Sequence, residues 1–385
     1  MRIAKILSIY LSGFLVGIAL VLFPAAGSIL TDADFHGFTS TQFGSIFIPQ
    51  IVLAILTSLS APKIAEKVGM KTVMLLGLAS LFVATTLLGA SNWFLEGNID
   101  YWIVMAGTAA LGAGFGFTIT ALNPFAYTLF PGKETSAVTA MHILLGAGTA
   151  SAALFLNAFV GQGIWYGAPF AISAIVLLMI LFTLPITLKL PHSETEQSSN
   201  EKIPFKIWLF ALAVFLYGAC EATLGNWGAL FLEKSGGLSV SDAALGLSVF
   251  WGFVALGRIA FTFYALRFST KWVYIIAPFI VAIVFFTLPQ AEGRTLLLAY
   301  MAFGGLGMSI LFPLSISSAT DQFPKYAAII SGVLVAAIQL GTGFSSNVIG
   351  YLNERMELSD LIQYSTAYAL ALGILAFYLS RPQKA

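Results

Sequence analysis

Cysteine is almost missing from this chain: Cys220 stands alone among 385 residues. No internal disulfide and no Cys-x-x-Cys site can form, and no group of His, Cys, Asp and Glu has the spacing of a metal site. No metal and no cofactor is therefore expected. Charge is scarce too, at 9% of residues against about 25% in soluble domains. Eighteen basic and 17 acidic residues leave a net charge of +1, which offers nucleic acid no attractive field. A G-x-x-x-x-G-K-[ST] phosphate loop is absent, which argues against a pump driven by ATP. What fills the chain instead is apolar surface: 58% hydrophobic residues, 33 Phe, 36 Gly and a mean hydropathy of +0.91. A soluble enzyme, a disordered chain and a disulfide scaffold are excluded. An integral membrane protein is left.

A spanning helix needs about 20 mostly apolar residues. Such runs occur near 7–30, 41–60, 73–90, 102–127, 137–160, 168–189, 206–231, 243–265, 272–289, 295–318, 327–350 and 362–380. The short alternating segments of a membrane barrel are missing, so the fold class is all-α with twelve transmembrane helices. Met1–Lys5, the apolar run after it and Pro24-Ala-Ala-Gly27 have the outline of a signal peptide. Ile6–Phe23 is longer than a usual signal core, and eleven spans follow, so it is read as the first helix. With the N-terminus inside, fourteen Lys and Arg fall in inner segments and only Lys234, Arg294 and Arg355 fall outside, leaving Arg258 within the eighth helix. The positive-inside rule then places both termini in the cytoplasm, with the chain crossing the cytoplasmic (inner) membrane many times.

The longest polar stretch, Pro191 to Lys202, lies between helices six and seven. It divides the chain into a six-helix bundle at 1–190, a cytoplasmic linker at 191–205 and a second six-helix bundle at 206–385. Faint echoes support the cut. Glu66-Lys67-Val-Gly-Met-Lys71 returns 200 residues later as Leu266-Arg267-Phe-Ser-Thr-Lys271. Gly112-x-Gly114 and Phe130-Pro131 return 193 residues later as Gly305-x-Gly307 and Phe323-Pro324. A duplicated six-plus-six membrane protein suggests alternating access around a midplane site.

This pattern resembles the major facilitator superfamily across essentially the whole chain. The segment after helix two is similar to that family's G-x-x-x-D-R-x-G-R-K signature, with Glu66 at the acid, Lys67 at the Arg, Gly69 at the Gly and Lys71 at the last base. Pro62 replaces the first Gly. The resemblance implies that Glu66, Lys67, Gly69 and Lys71 form a cytoplasmic loop that gates the conformational change; a plain positive-inside loop is the simpler account. Tyr217-Gly-Ala-Cys-Glu221 through Gly225-Asn226-Trp227, and Phe250-Trp251 through Gly257-Arg258, resemble motifs of bacterial fucose-permease-like sugar porters. The Tyr217-Gly218 pair lacks one intervening residue of that pattern. The branch implies a small sugar-like solute.

Glu221 is the one acid deep inside a span. An ionised carboxylate at the bilayer centre costs at least about 2.5–3.5 kcal/mol, so it must meet water, a partner or a proton. Protonation on one side and release on the other would couple transport to a proton gradient; gluing two helices together is the bland alternative. Tyr217 lies four residues away on the same helix face. Trp227 either stacks on a solute, if the helix unwinds at Gly225-Asn226, or anchors the outer interface. Gln50, Trp251 and Gln339 fall near the midplane, where amides and a ring suit a hydroxylated neutral solute. Gln339, Thr342 and Ser346 share a face and suggest a polar lining. Asn123 and His142 sit nearer the cytoplasmic side, with His142 a second candidate for the proton. Arg258 is read as a snorkelling structural residue.

The expected substrate-binding set is thus Gln50, Asn123, Tyr217, Glu221, Asn226, Trp227, Trp251 and Gln339, with Glu221 and His142 for proton coupling. A secondary transporter working by proton symport is the lead reading, with a small solute, the proton and the lipid bilayer as partners and a monomer as the unit. A drug exporter is the alternative, although helix five lacks a G-P-rich antiporter motif. A membrane-embedded enzyme or a nontransporting sensor is the reading from another class. It finds no paired carboxylates and no output domain.

Overall fold

The computed structural model describes residues 2–190, 203–265 and 267–381. All regular structure among them is helical, and the chain crosses the long axis of the bundle twelve times. The first six crossings are α1 Arg2–Thr31, α2 Ser40–Val68, α3 Met70–Trp93, α4 Ile99–Leu129, α5 Ser136–Val160 and α6 Gly167–Thr183. The second six are α7 Phe205–Lys234, α8 Val240–Ala265, α9 Lys271–Gln290, α10 Arg294–Gln322, α11 Ile329–Leu352 and α12 Leu358–Leu379. Each matches an expected apolar run. Eleven are long and apolar enough to span a bilayer, and α6 is a shorter apolar helix. It stops at Thr183 rather than near 189, because Pro185 has no N–H to continue the ladder. The polar linker expected at 191–205 lies, up to residue 202, outside the described residues.

One difference concerns the expected gating loop. α2 runs past Pro62 to Val68, and the chain turns at Gly69 alone, whose φ of 85° favours glycine. Glu66 and Lys67 therefore sit on the last turn of α2, and Lys71 on the first turn of α3. The Lys71 ammonium donates to the Leu184 carbonyl at 2.6 Å, tying α3 to the end of α6.

The faint repeats in sequence are real contacts in space. Gly112 of α4 lies flat on the α2 backbone at Gln50, and Gly305 of α10 lies on the α8 backbone at Phe250. Two residues on, Gly114 packs on Leu81 of α3 and Gly307 on Val281 of α9. α1 and α5 cross at Gly17 and Gly148 just as α7 and α11 cross at Gly218 and Gly341; a Cβ at any of these four would overlap a carbonyl of the partner helix. Small residues at such crossings let backbones meet, which is how helices associate without a hydrophobic drive. α1 and α7 also break at matching places, Ala26 and Asn226. These repeated crossings define two pseudo-symmetric six-helix bundles.

The two bundles meet closely on the side away from the termini, here called the far face. Gly44 of α2 faces Gly350 of α11, and a Cβ on Gly44 would come within 3.1 Å of the Gly350 Cα. Just beyond, Asn353 donates to Ser40 Oγ at 2.8 Å, and the Thr41 amide donates to Glu354 at 3.3 Å. Asn157 at the far end of α5 donates to Ser241 of α8 at 2.9 Å. Around the Gly146–Ala255 contact, α5 from Thr139 to Thr149 and α8 from Trp251 to Thr262 line a small cleft.

Candidate functional site

α7 is interrupted where its sequence is weakest for helix. Gly225 ends the first segment, Asn226 and Trp227 sit in the break, and Gly228 starts the second. Asn226 in the break donates to Ser346 of α11 at 2.8 Å. One turn before the break, the Tyr217 hydroxyl donates to the Glu221 carboxylate. Tyr217 is fully buried, and Phe312 of α10 stacks on it at 6.2 Å and 15°. Glu221 is only partly buried. Along α7 it lies about 24 Å from Phe205, near the middle of the span.

Arg258 of α8 completes this group. Its guanidinium lies near the Tyr217 hydroxyl and Glu221, and donates from Nε to the Ser309 carbonyl of α10 at 3.1 Å. Across the cleft, His142 of α5 donates from Nε2 to Asn123 Oδ1 of α4 at 3.1 Å; that oxygen can only accept, which settles the proton on Nε2. His142, Trp251 and Arg258 line the same cleft of about 90 Å³. The Trp251 ring lies against Gly225, 3.0 Å from where a Cβ would stand. Two hydrogen-bonded pairs, Asn123–His142 and Tyr217–Glu221, thus flank Arg258 from opposite bundles.

The structure places the other expected residues differently. Gln50 has a buried Oε1 without a partner among the described residues, and so has the Trp251 Nε1. Gln339 is half-buried on α11, beside the Ile338–Gly218 crossing. Thr342 donates to the Gly218 carbonyl at 3.3 Å, and Ser346 is fully buried and bonded to Asn226, so both face α7 rather than an open lining. Trp227 is fully buried and packs edge-to-face on Phe43 of α2 at 5.1 Å. It is neither an interface anchor nor a ring presented to the cleft; it forms part of the far-face seal. Above that seal is an open vestibule of about 930 Å³ lined by Ser40, Lys234, Asn353 and Glu354.

Arg258 is the residue whose part the sequence reading missed. Two signals pointed to it: a lone buried acid wants a buried base, and Trp251 and Arg258 are seven residues apart, hence on one helix face.

Twelve apolar crossings in two repeated bundles, closed on one face, with a lone acid–base pair inside, are the architecture of a membrane transporter. The Major Facilitator Superfamily profile matches residues 6–346, and the chain belongs to that family. It is similar to the glucose/mannose transporter GlcP of Bacillus subtilis, with 23% identity over 320 residues, 77% of this chain and 76% of that one. Among solved structures, a bacterial homologue of the human lysosomal transporter Spinster, inward-facing and occupied, aligns with 98% of this chain and 96% of its own at a TM-score of 0.78 and 14% identity. The fucose:proton symporter FucP of E. coli aligns with 99% of this chain and 98% of its own at a TM-score of 0.62 and 18% identity.

Proposed function

We propose that this transporter takes up a small hydroxylated, sugar-like solute by proton symport, by alternating access of its two bundles. Both termini face the cytoplasm of the cell it serves, as the split of basic residues favours, so the α5–α8 cleft opens inward. The single observation that carries the reading is Glu221: a partly buried acid near the middle of α7, bonded to Tyr217, near Arg258 and one turn from a helix break. A carboxylate kept in such a place at a cost of several kcal/mol has a use for its charge. The unpartnered Gln50 Oε1 and Trp251 Nε1 offer one acceptor and one donor to hydroxyl groups, and the Trp251 ring covers an apolar sugar face. The names of GlcP and of FucP, a sugar transporter and a sugar:proton symporter, point the same way. His142 stands as the second proton group, and Glu66, Lys67, Gly69 and Lys71 hold the α2–α3 joint through which the bundles move, in a monomer.

The test is uptake into liposomes of purified protein, screened with radiolabelled glucose, mannose, fucose and polyols, with and without an inward proton gradient. Wild type should concentrate at least one of them only when the gradient is present. Glu221→Gln should lose that concentration step while still exchanging the same solute across the membrane. Concentrative, proton-driven uptake by Glu221→Gln would place the proton elsewhere, with His142 next to be tested. Uptake that ignores the gradient in wild type would refute symport.

A further inference from the structure

The break in α10 leaves a carbonyl that its own helix cannot satisfy, and Arg258 takes it. In a continuous helix the Ser309 carbonyl would accept from residue 313, but Pro313 has no N–H. The helix stops at Met308 and resumes at Leu311, with Ser309 in the gap. Arg258 Nε fills the vacancy at 3.1 Å. Its neighbour Gly257 makes the approach possible, since a Cβ there would come within 2.7 Å of the Ser309 Cβ.

The same guanidinium serves α7. It lies near the Tyr217 hydroxyl, which donates to Glu221, and Phe312, one residue before Pro313, stacks on the Tyr217 ring. The acid of α7 and the break of α10 therefore share one cation. The groups facing it are Tyr217 and Glu221 from α7, the Ser309 carbonyl from α10, and His142 from the opposite bundle. A guanidinium has five N–H donors in a fixed plane and can hold several acceptors at once; a lysine ammonium is a point charge on a flexible stem and cannot reproduce that span.

We propose that Arg258 is the positioning residue that transmits the charge of Glu221 to the break in α10, an inference that rests on Glu221 as the proton carrier. With Glu221 ionised, the carboxylate and the Tyr217 hydroxyl draw the guanidinium toward α7 and fix the α10 break through Ser309. A proton taken from the medium neutralises the carboxylate, the pull on the guanidinium weakens, and α10 is free to change its bend. Release of that proton on the other side restores the grip.

The experiment needs no solute. Spin labels at Leu296 and Asp321, both exposed and on either side of the break, report the end-to-end distance of α10 by pulsed EPR in a Cys220→Ser background. Glu221→Gln, which stands for the loaded carboxyl, should shift that distance distribution. In an Arg258→Lys background, the same Glu221→Gln change should shift nothing. Arg258→Lys can also fail to fold, so it is paired with Pro313→Ala, which returns an N–H to the Ser309 carbonyl. Arg258→Lys with Pro313→Ala should fold and still show no response to Glu221→Gln. A full response in either lysine background reduces Arg258 to a plug for a free carbonyl and overturns the proposal. So does the lack of a response with Arg258 in place. Failure of the parent reading is seen separately, as proton-driven uptake by Glu221→Gln.

Discussion

Gly44 and Gly350 face each other where α2 and α11 close the far face, and the contact has no room for a methyl group. A Cβ on Gly350 would stand 3.0 Å from the Gly44 Cα, and one on Gly44 would stand 3.1 Å from the Gly350 Cα. Carbon atoms rest about 3.5–4.0 Å apart, so either alanine must push the helices apart by roughly half an ångström or more. Forcing a methyl into a filled contact costs about 1–3 kcal/mol. The cost falls on the far-closed state alone, because a far-open transporter has separated these helices. A bias of that size moves a two-state equilibrium about 5–150-fold. Gly44→Ala and Gly350→Val should therefore populate the far-open form. Spin labels at Asp34 and Asp360, exposed on the far face of opposite bundles, would read this as a longer component in the distance distribution. Gly148→Ala is the control: its methyl would meet the Phe14 carbonyl inside one bundle, so it should lower yield or melting temperature without adding that component. If both far-face variants elute as folded protein and keep the wild-type distribution, the glycine contact does not hold this face shut.

Three further outcomes follow from the same structure. His36, in the α1–α2 loop, bonds to Ser91 at 2.8 Å, and burial pushes its pKa down to about 4. The unfolded chain takes up that proton near 6.5, so the stability held by the neutral ring is whole above pH 6.5 and falls by about 3 kcal/mol as pH drops to about 4; His36→Gln should flatten the melting temperature over that window. The Thr41 and Thr39 hydroxyls nearby and the Thr41 amide that donates to it hold the Glu354 carboxyl below its usual range, so its clasp on α2 is present above that range and lost as the pH falls through the lowered value. Glu354→Gln should shift the Asp34–Asp360 distances as Gly350→Val does, but less, and an unchanged distribution would remove the clasp from the gate. Trp251→Ala should weaken solute exchange with coupling intact, measured as a raised half-saturation concentration with the proton dependence unaltered.

How far the sequence could be read depended on what each signal reports. Long apolar runs report a property of the helix itself, and all twelve stand where the runs stood. The helix break at Asn226 was legible for the same reason, since Gly225, Asn226 and Gly228 are poor helix formers wherever they occur. A stripe of polar residues is different, because it has the same spacing whether it faces a cavity or another helix. Thr342 and Ser346 share a face with each other as expected, but that face meets α7 at Gly218 and Asn226. Trp227 was undecided for the same cause: only the position of Phe43, 184 residues earlier, buries it. Arg258 was misjudged because its depth in α8 was considered without asking which carbonyl nearby lacked a donor. Pro313 held that information, and the two are joined only once α8 lies on α10.

The acid and base of the proposed switch, Glu221 and Arg258, fall in only one half of the repeated scaffold. Moving by the repeat offsets from the second bundle to the first, Tyr217 falls on Val16, Glu221 on Leu20, Arg258 on Ser58 and Pro313 on Thr120. Thr120 keeps its N–H, and α4 accordingly runs unbroken from Ile99 to Leu129 where α10 is split. The first bundle therefore has the same crossings without the two charged residues and without the split helix. Physical cost explains why one copy suffices. Each buried ion carries a desolvation penalty of several kcal/mol even after relaxation, and a second acid–base pair would add two more such ions. On the proposed mechanism the proton acts on one bundle, so the split α10 changes relative to an α4 that runs as a single helix. In that arrangement His142, which lines the cleft and is held by Asn123, is the first bundle's contribution and comes second to Glu221 as a proton group. Asn123→Leu, which frees the His142 ring from its hydrogen bond, should then alter solute exchange while leaving the Glu221-dependent shift of α10 in place. Loss of that shift in Asn123→Leu would show that both bundles, and not one, carry the switch.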